Sequence, residues 1–308
     1  MPLDPLVKAF LEQLPPGLKP WEQSDEDARV GFREFLKPFG PKDVPIGKVE
    51  NRSLPDGLGL RLYRPVAAGG EALPALIFFH GGAFRVGDLD THESVCRLIA
   101  GEAACRVIAV DYRLAPEHPF PAAYDDAYAA LSWIEANAAT LGIDPNRIAV
   151  GGDSSGGALA ALVCQRAKAQ GGPAIAYQLL LFPVTMLGGD FASLSANAEG
   201  YLLERSALEY CYERYAPKSL WGDPKLSPLL ASDVAGLPPA LVMLAEFDVL
   251  HDEGLAYAEK LRAAGVSVTV TDHPGQIHDF LLFQAVFPQA HEAIALVAKA
   301  LQAQFEKL

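Results

Sequence analysis

Short apolar runs recur along the chain at 59–63, 75–80, 106–111, 147–151, 175–182, 240–245 and 266–271. Several, such as Ala75-Leu76-Ile77-Phe78-Phe79 and Leu241-Val242-Met243-Leu244, contain no polar residue, the pattern of strands covered on both faces. Between the later runs lie longer stretches with helical spacing at 91–103, 122–138, 157–170 and 253–264, and a last one from about 288 to the end. Strands alternating with helices predict an α/β fold built on a mostly parallel, doubly wound sheet of about eight strands.

Two stretches break the rhythm. Residues 1–42 read as two amphipathic helices, 4–14 and 24–37, separated by Leu14-Pro15-Pro16-Gly17 with no strand between them. They precede the sheet as an appendage. Residues 185–233 are irregular, hold one helix near 205–215, and then return to the sheet. An insertion after the carboxyl end of a strand is well placed to roof a site there. The rest of 43–308 is expected to form one catalytic-size domain.

The candidate chemistry begins where the run Arg147-Ile148-Ala149-Val150 gives way to the helix-like Ala158-Leu159-Ala160-Ala161-Leu162. Between them stands Gly152-Asp153-Ser154-Ser155-Gly156, a GxSxG in the strand-to-helix setting of a nucleophile elbow. A serine in so sharp a turn needs neighbours without bulk, which Gly152 and Gly156 provide. Ser154 is therefore the candidate nucleophile. Its hydroxyl needs an imidazole to take the proton and a carboxylate to orient that imidazole.

On this fold the acid and the histidine follow the serine in that order, on loops after later strands. The run 240–245 leads into Glu246-Phe247-Asp248-Val249-Leu250, and 266–271 leads into Asp272-His273-Pro274-Gly275-Gln276-Ile277-His278-Asp279-Phe280. Glu246 and Asp252 compete with Asp248 for the acid, and His273 with His278 for the base. Position favours Asp248 and His278: Glu246 and His273 follow their strands too soon to turn toward the elbow, and Pro274-Gly275 offers a turn that could deliver His278. Donors for the oxyanion are available in His80-Gly81-Gly82-Ala83-Phe84, which follows a buried strand, and in the N–H of Ser155 at the start of a helix.

Composition narrows the function classes. A net charge of −13 without any basic run argues against nucleic acid or an anionic membrane as partner. The four cysteines, Cys96, Cys105, Cys164 and Cys211, form no CxxC pair and read mainly as small core residues, so neither a metal site nor a disulfide framework is implied. The first residues lack a basic segment followed by a long apolar core, and no uncharged apolar run approaches a membrane span. The expectation is a soluble, cytoplasmic protein acting as a monomer or homodimer.

Taken together, the motifs resemble the hormone-sensitive-lipase-like group of α/β-hydrolase carboxylesterases. The matching segments are His80-Gly81-Gly82-Ala83-Phe84, Asp111-Tyr112-Arg113-Leu114-Ala115-Pro116-Glu117-His118, Gly152-Asp153-Ser154-Ser155-Gly156-Gly157, Asp248-Val249-Leu250-His251-Asp252-Glu253-Gly254 and Pro274-Gly275-Gln276-Ile277-His278-Asp279-Phe280. The resemblance implies Ser154 as nucleophile, Asp248 as acid and His278 as base. It implies oxyanion donors from Gly81, Gly82 or Ala83 together with Ser155. His80 would brace its loop, while Tyr112, Arg113 and Glu117 would support the site from below. The 1–42 helices and the 185–233 insertion would form the family's cap. Where the family often has glycine, alanine and glycine, this chain has Ala83, Ser155 and Asp279. Ala83 and Ser155 are small and keep their N–H groups; Asp279 is expected to point into solvent.

The resulting expectation is a cofactor-free serine carboxylesterase acting on a small ester of short or medium acyl chain. Phe84, Phe191, Tyr201, Leu202, Val249, Ile277 and Phe280, each beside a motif or in the cap, are the candidate pocket walls. The alternatives are a long-chain lipase and a non-catalytic small-molecule receptor on the same fold. The intact serine, acid and histidine weigh against the receptor.

Overall fold

A computed structural model describes residues 2–14, 19–41, 43–66, 69 and 72–308 of the 308-residue chain. Residues 15–17 of the Pro-Pro-Gly break lie outside the described residues. In chain order the main elements are α1 (Pro5–Gln13), α2 (Asp25–Leu36), β1 (Lys48–Ser53), β2 (Gly59–Arg64), β3 (Leu73–Phe79), α3 (Glu93–Glu102), β4 (Arg106–Asp111), α4 (Ala122–Ala136) and α5 (Ala138–Leu141). They continue with β5 (Ile143–Asp153), α6 (Ser155–Gln170), β6 (Tyr177–Leu181), α7 (Ala192–Ala196), α8 (Arg205–Tyr215), β7 (Ala240–Phe247), α9 (His251–Ala263), β8 (Val268–Ile277) and α10 (Pro288–Phe305).

The strands form one eight-stranded sheet in the order β1-β2-β4-β3-β5-β6-β7-β8. The pairs β1–β2 and β2–β4 are antiparallel; the rest are parallel. Successive side chains on a strand point to opposite faces, so each apolar run serves two cores. Ile77 and Phe79 of β3 join Leu131 of α4, Leu159 of α6 and Leu261 of α9 on one face. Leu76 and Phe78 join Ile99 of α3 and Leu301 of α10 on the other. That double covering is why the central strands carry no alternation.

Strand β1, Lys48-Val49-Glu50-Asn51-Arg52-Ser53, is not among the apolar runs. It is a mostly exposed edge strand, held by its antiparallel ladder to β2 rather than by burial. Strand β8 also runs further than its apolar run. Ala245 pairs with His273 and Phe247 with Ile277, so Pro274, Gly275 and Gln276 face the single residue Glu246. The expected Pro274-Gly275 turn is thus a bulge inside a strand, with Gly275 at φ 72. Its backbone is pinned on both sides: the N–H donates to Glu246 Oε2 at 2.8 Å and the carbonyl accepts from the N–H of Asp4 at 3.1 Å.

The first helices are tied down from several directions. Asp4 caps α1 through Oδ1 on the Leu6 N–H at 2.8 Å, and Ser24 caps α2 on the Asp27 N–H at 3.1 Å. Phe10 packs edge-on against Phe39 and Phe287. The Asp25 carboxylate takes hydrogen bonds from Arg85 Nε and Arg214 Nη2, both at 2.5 Å, linking α2 to the loop after β3 and to α8. Burial alone would raise this acid, but the two arginines hold it below its ordinary range. The four cysteines are free and buried, Cys164 in one core and Cys96 and Cys105 in the other. Among the described residues, no helix is long and apolar enough to cross a membrane.

Candidate active site

Strand β5 delivers Ser154 into a left-handed conformation, φ 54 and ψ −119, which a residue with a Cβ adopts only at a cost of about 1–3 kcal/mol. The surroundings enforce it. Its N–H donates to the Leu181 carbonyl at 2.8 Å, and its carbonyl accepts from Val184 at 3.1 Å and Ala158 at 3.2 Å. A Cβ on Gly156 or Gly152 would run into the Phe79 carbonyl, so both glycines are required by the close approach of β3.

His278 follows the bulged end of β8 and meets Ser154 from the adjoining side of the sheet. Its Nε2 lies 3.0 Å from Ser154 Oγ and its Nδ1 2.7 Å from Asp248 Oδ2. The other oxygen of Asp248 accepts the Leu250 N–H at 2.9 Å, which fixes the carboxylate. Ser154, His278 and Asp248 are each at most 4 % exposed. Burial disfavours the imidazolium, yet the charges of Asp248 and Asp279 and the Asp248 hydrogen bond outweigh it, so His278 is pushed up to about 9. A serine, imidazole and carboxylate linked in this way can pass the hydroxyl proton to the ring and stabilise the resulting charge.

The rivals are occupied elsewhere. Glu246 is part of β7 and accepts from Gly275. Asp252 accepts the Ser193 N–H at 2.9 Å and pairs with His251. His273 lies within β8 and packs its ring on Phe280 at 5.0 Å.

The loop after β3 curls over the serine through left-handed Ala83 (φ 51) and Phe84 (φ 60). The Gly81 N–H is directed away, toward His92 Nε2 at 3.4 Å. Gly82 and Ala83 line the cavity above Ser154, and their N–H groups and that of Ser155 at the first turn of α6 form no hydrogen bond among the described residues. His80 stacks on Tyr112 at 4.3 Å, and the Tyr112 hydroxyl donates to the His80 carbonyl at 2.7 Å. Arg113 pairs with Asp126, and Glu117 with Arg29 of α2.

His92, which the motifs did not single out, is buried beneath this loop with Nε2 3.1 Å from Asp153 Oδ2 and Nδ1 2.8 Å from Thr91 Oγ1. Burial opposes its charge, but Asp153 overrides this and raises it. The pair joins the elbow to the loop that covers it. The only sequence signal was an ionisable residue, Asp153, inside the GxSxG itself.

A cavity of about 500 Å³ opens over Ser154 and His278. Of the seven candidate wall residues, Leu202 lines it and the other six do not. Phe84 stacks on Tyr215 at 3.9 Å, Tyr201 packs on Phe247, Val249, Ile277 and Phe280 belong to the two cores, and the half-buried Phe191 packs against one of them. A residue beside a catalytic motif is usually packed to hold that motif, and so faces away from the substrate. The apolar walls come instead from Phe32, Phe35 and Leu36 of the α2 segment, Leu208 and Cys211 of α8, and Leu282 and Phe283. Asp279 also departs from expectation: its side chain is 14 % exposed and lines the cavity, with Oδ2 3.4 Å from His278 Nε2. Its left-handed backbone, φ 54, turns the carboxylate back over the ring rather than outward.

The site defines a class: a serine hydrolase geometry at the carboxyl edge of a doubly wound sheet. A family model for the alpha/beta hydrolase fold matches residues 76–282. The carboxylesterase NlhH of Mycobacterium tuberculosis is 40 % identical over 313 residues, spanning 98 % of this chain and 97 % of the relative. An ethyl acetate hydrolase of Pseudomonas putida is 39 % identical over 318 residues, 98 % of this chain and 99 % of the relative. Among solved structures, a thermostable esterase from Pseudomonas putida superposes with a TM-score of 0.94 at 36 % identity, covering 99 % of this chain and 98 % of that one. The chain belongs to the α/β-hydrolase family, in its hormone-sensitive-lipase-like branch.

Proposed function

We propose that the protein is a serine carboxylesterase in which Ser154 is the nucleophile, His278 the general base and acid, and Asp248 the orienting carboxylate. The observation that carries the reading is the continuous hydrogen-bonded line from Asp248 through His278 to Ser154, ending in a cavity with unengaged backbone N–H groups. Relatives named carboxylesterase and ethyl acetate hydrolase support the reaction class. Ser154 Oγ attacks the ester carbonyl as His278 takes its proton. The N–H groups of Gly82, Ala83 and Ser155 are the oxyanion donors of this scheme, and Gly81 is excluded because it faces His92. His278 then protonates the leaving alcohol, and water hydrolyses the acyl-enzyme by the reverse relay. No step needs a cofactor. Residues 1–42 and 185–233 act as a cap, since both contribute walls to the cavity.

A half-open, mostly apolar cavity of about 500 Å³ suits short or medium acyl chains. With p-nitrophenyl esters from acetate to palmitate, turnover should peak at short or medium length and vanish in Ser154→Ala. A peak at palmitate would contradict the pocket assignment. The same assay gives the pH dependence. Only neutral imidazole accepts the serine proton, so kcat/KM should fall as pH drops through the His278 titration. Because that group is raised above 6.5, the acid limb should have its midpoint above pH 6.5. A limb centred at or below 6.5 would mean that Asp248 and Asp279 do not act on the ring as described.

A further inference from the structure

One carboxylate of the cavity, that of Asp279, lies beside the catalytic line without being part of it. Asp279 is the single carboxylate among the described residues lining the cavity, and the other charged side chain there apart from the catalytic histidine, Arg85, is paired with Asp25. Asp279 Oδ1 is sealed from the cavity, so a bound molecule can meet this carboxyl only through Oδ2. Oδ2 lies 3.4 Å from His278 Nε2, and Nε2 lies 3.0 Å from Ser154 Oγ. Nε2 is also the atom that must hand a proton to the departing alkoxide. The leaving oxygen therefore comes within about 3 Å of Nε2, beside Oδ2. A polar group one or two carbons further along the alcohol then falls within reach of Oδ2.

We infer that Asp279 is a specificity-determining residue that selects esters whose leaving alcohol carries a hydroxyl group β to the ester oxygen, as in 2-hydroxyalkyl esters and glycerol monoesters. The inference rests on ester hydrolysis by Ser154 and His278. A hydroxyl both donates and accepts, so it can pair with a carboxylate or with a carboxylic acid. Burial raises the Asp279 acid against the pull of His278, which brings both forms into play near neutral pH. An ammonium group, which only donates, matches one of them. A methyl at the same place would exclude water from Oδ2 and offer it no hydrogen bond in return.

The test compares kcat/KM for 2-hydroxyethyl butanoate and propyl butanoate, which differ only by OH against CH3 at the end of the alcohol. The native protein should favour the hydroxyethyl ester by about tenfold or more, the worth of one hydrogen bond to a charged group. Asp279→Gly, which suits the left-handed backbone, should bring the ratio close to one. Asp279→Asn keeps a hydrogen-bonding amide and should fall between. Each ratio is taken on one preparation, so loss of folded protein in a variant cancels. Equal ratios in all three proteins, with propyl butanoate turned over, would overturn this inference alone. No turnover of either ester by the native protein would overturn it together with the esterase reading.

Discussion

His278→Ala should lower kcat on a p-nitrophenyl ester by about 10⁵- to 10⁶-fold, the loss seen when a member of a serine triad that acts as a unit is removed. His273→Ala, five residues earlier, should retain most of the turnover. The two histidines sit on the same strand end, yet only His278 reaches Ser154, at 3.0 Å, and Asp248, at 2.7 Å. Asp248→Asn should cost about 10⁴-fold, because an amide no longer holds the Nδ1–H tautomer. Loss of turnover in His273→Ala with survival in His278→Ala would reverse the assignment of the base.

The second large effect concerns folding. Gly156→Ala should yield little folded protein, or lower stability by about 4 kcal/mol or more. The atoms that a Cβ would strike belong to the backbone of Phe79 and His80, so relief requires moving β3 or the loop that carries Gly82 and Ala83. Gly101→Ala is the control: it lies in the last turn of α3 with nothing within 4 Å of the new Cβ, and it should leave stability unchanged or raise it by up to about 0.5 kcal/mol. A Gly156→Ala protein that melts with the native one would show that the elbow is looser than its contacts imply.

The parts of this molecule that were legible in the sequence are those written by local rules. Runs such as 75–80 and 240–245 must be central strands, because nothing else buries them on both faces. The order serine, acid, histidine and the glycines around Ser154 follow from steric and proton-transfer demands that act over a few residues. β1 was not legible, because its Lys48-to-Ser53 segment is polar and owes its strand state to β2. Nor was the bulge at Pro274-Gly275, which reads as a turn until Glu246 and Asp4 are seen to pin it.

The pocket was the hardest part to read, for a physical reason. Its walls converge from α2, α8 and the residues after β8, segments far apart in sequence whose meeting is decided by packing. The amphipathic pattern of 24–37 did carry the signal: Phe32, Phe35 and Leu36 share one stripe, and that stripe faces the cavity. In the sequence Asp279 reads as solvent-facing, because a charged residue beside a histidine is usually solvated. Its positive φ, which the chain pattern does not express, reverses its direction.

The central claim is that Ser154 forms the acyl-enzyme. The most direct measurement is peptide mapping by mass spectrometry after exposure to an ethyl p-nitrophenyl alkylphosphonate, a neutral diester whose phosphorus a nucleophilic serine attacks with loss of p-nitrophenolate. The account predicts one phosphonyl group per chain, on Ser154, accompanied by loss of turnover and absent from Ser154→Ala. Labelling of another residue with the same loss of activity, or equal labelling of Ser154→Ala, would contradict it.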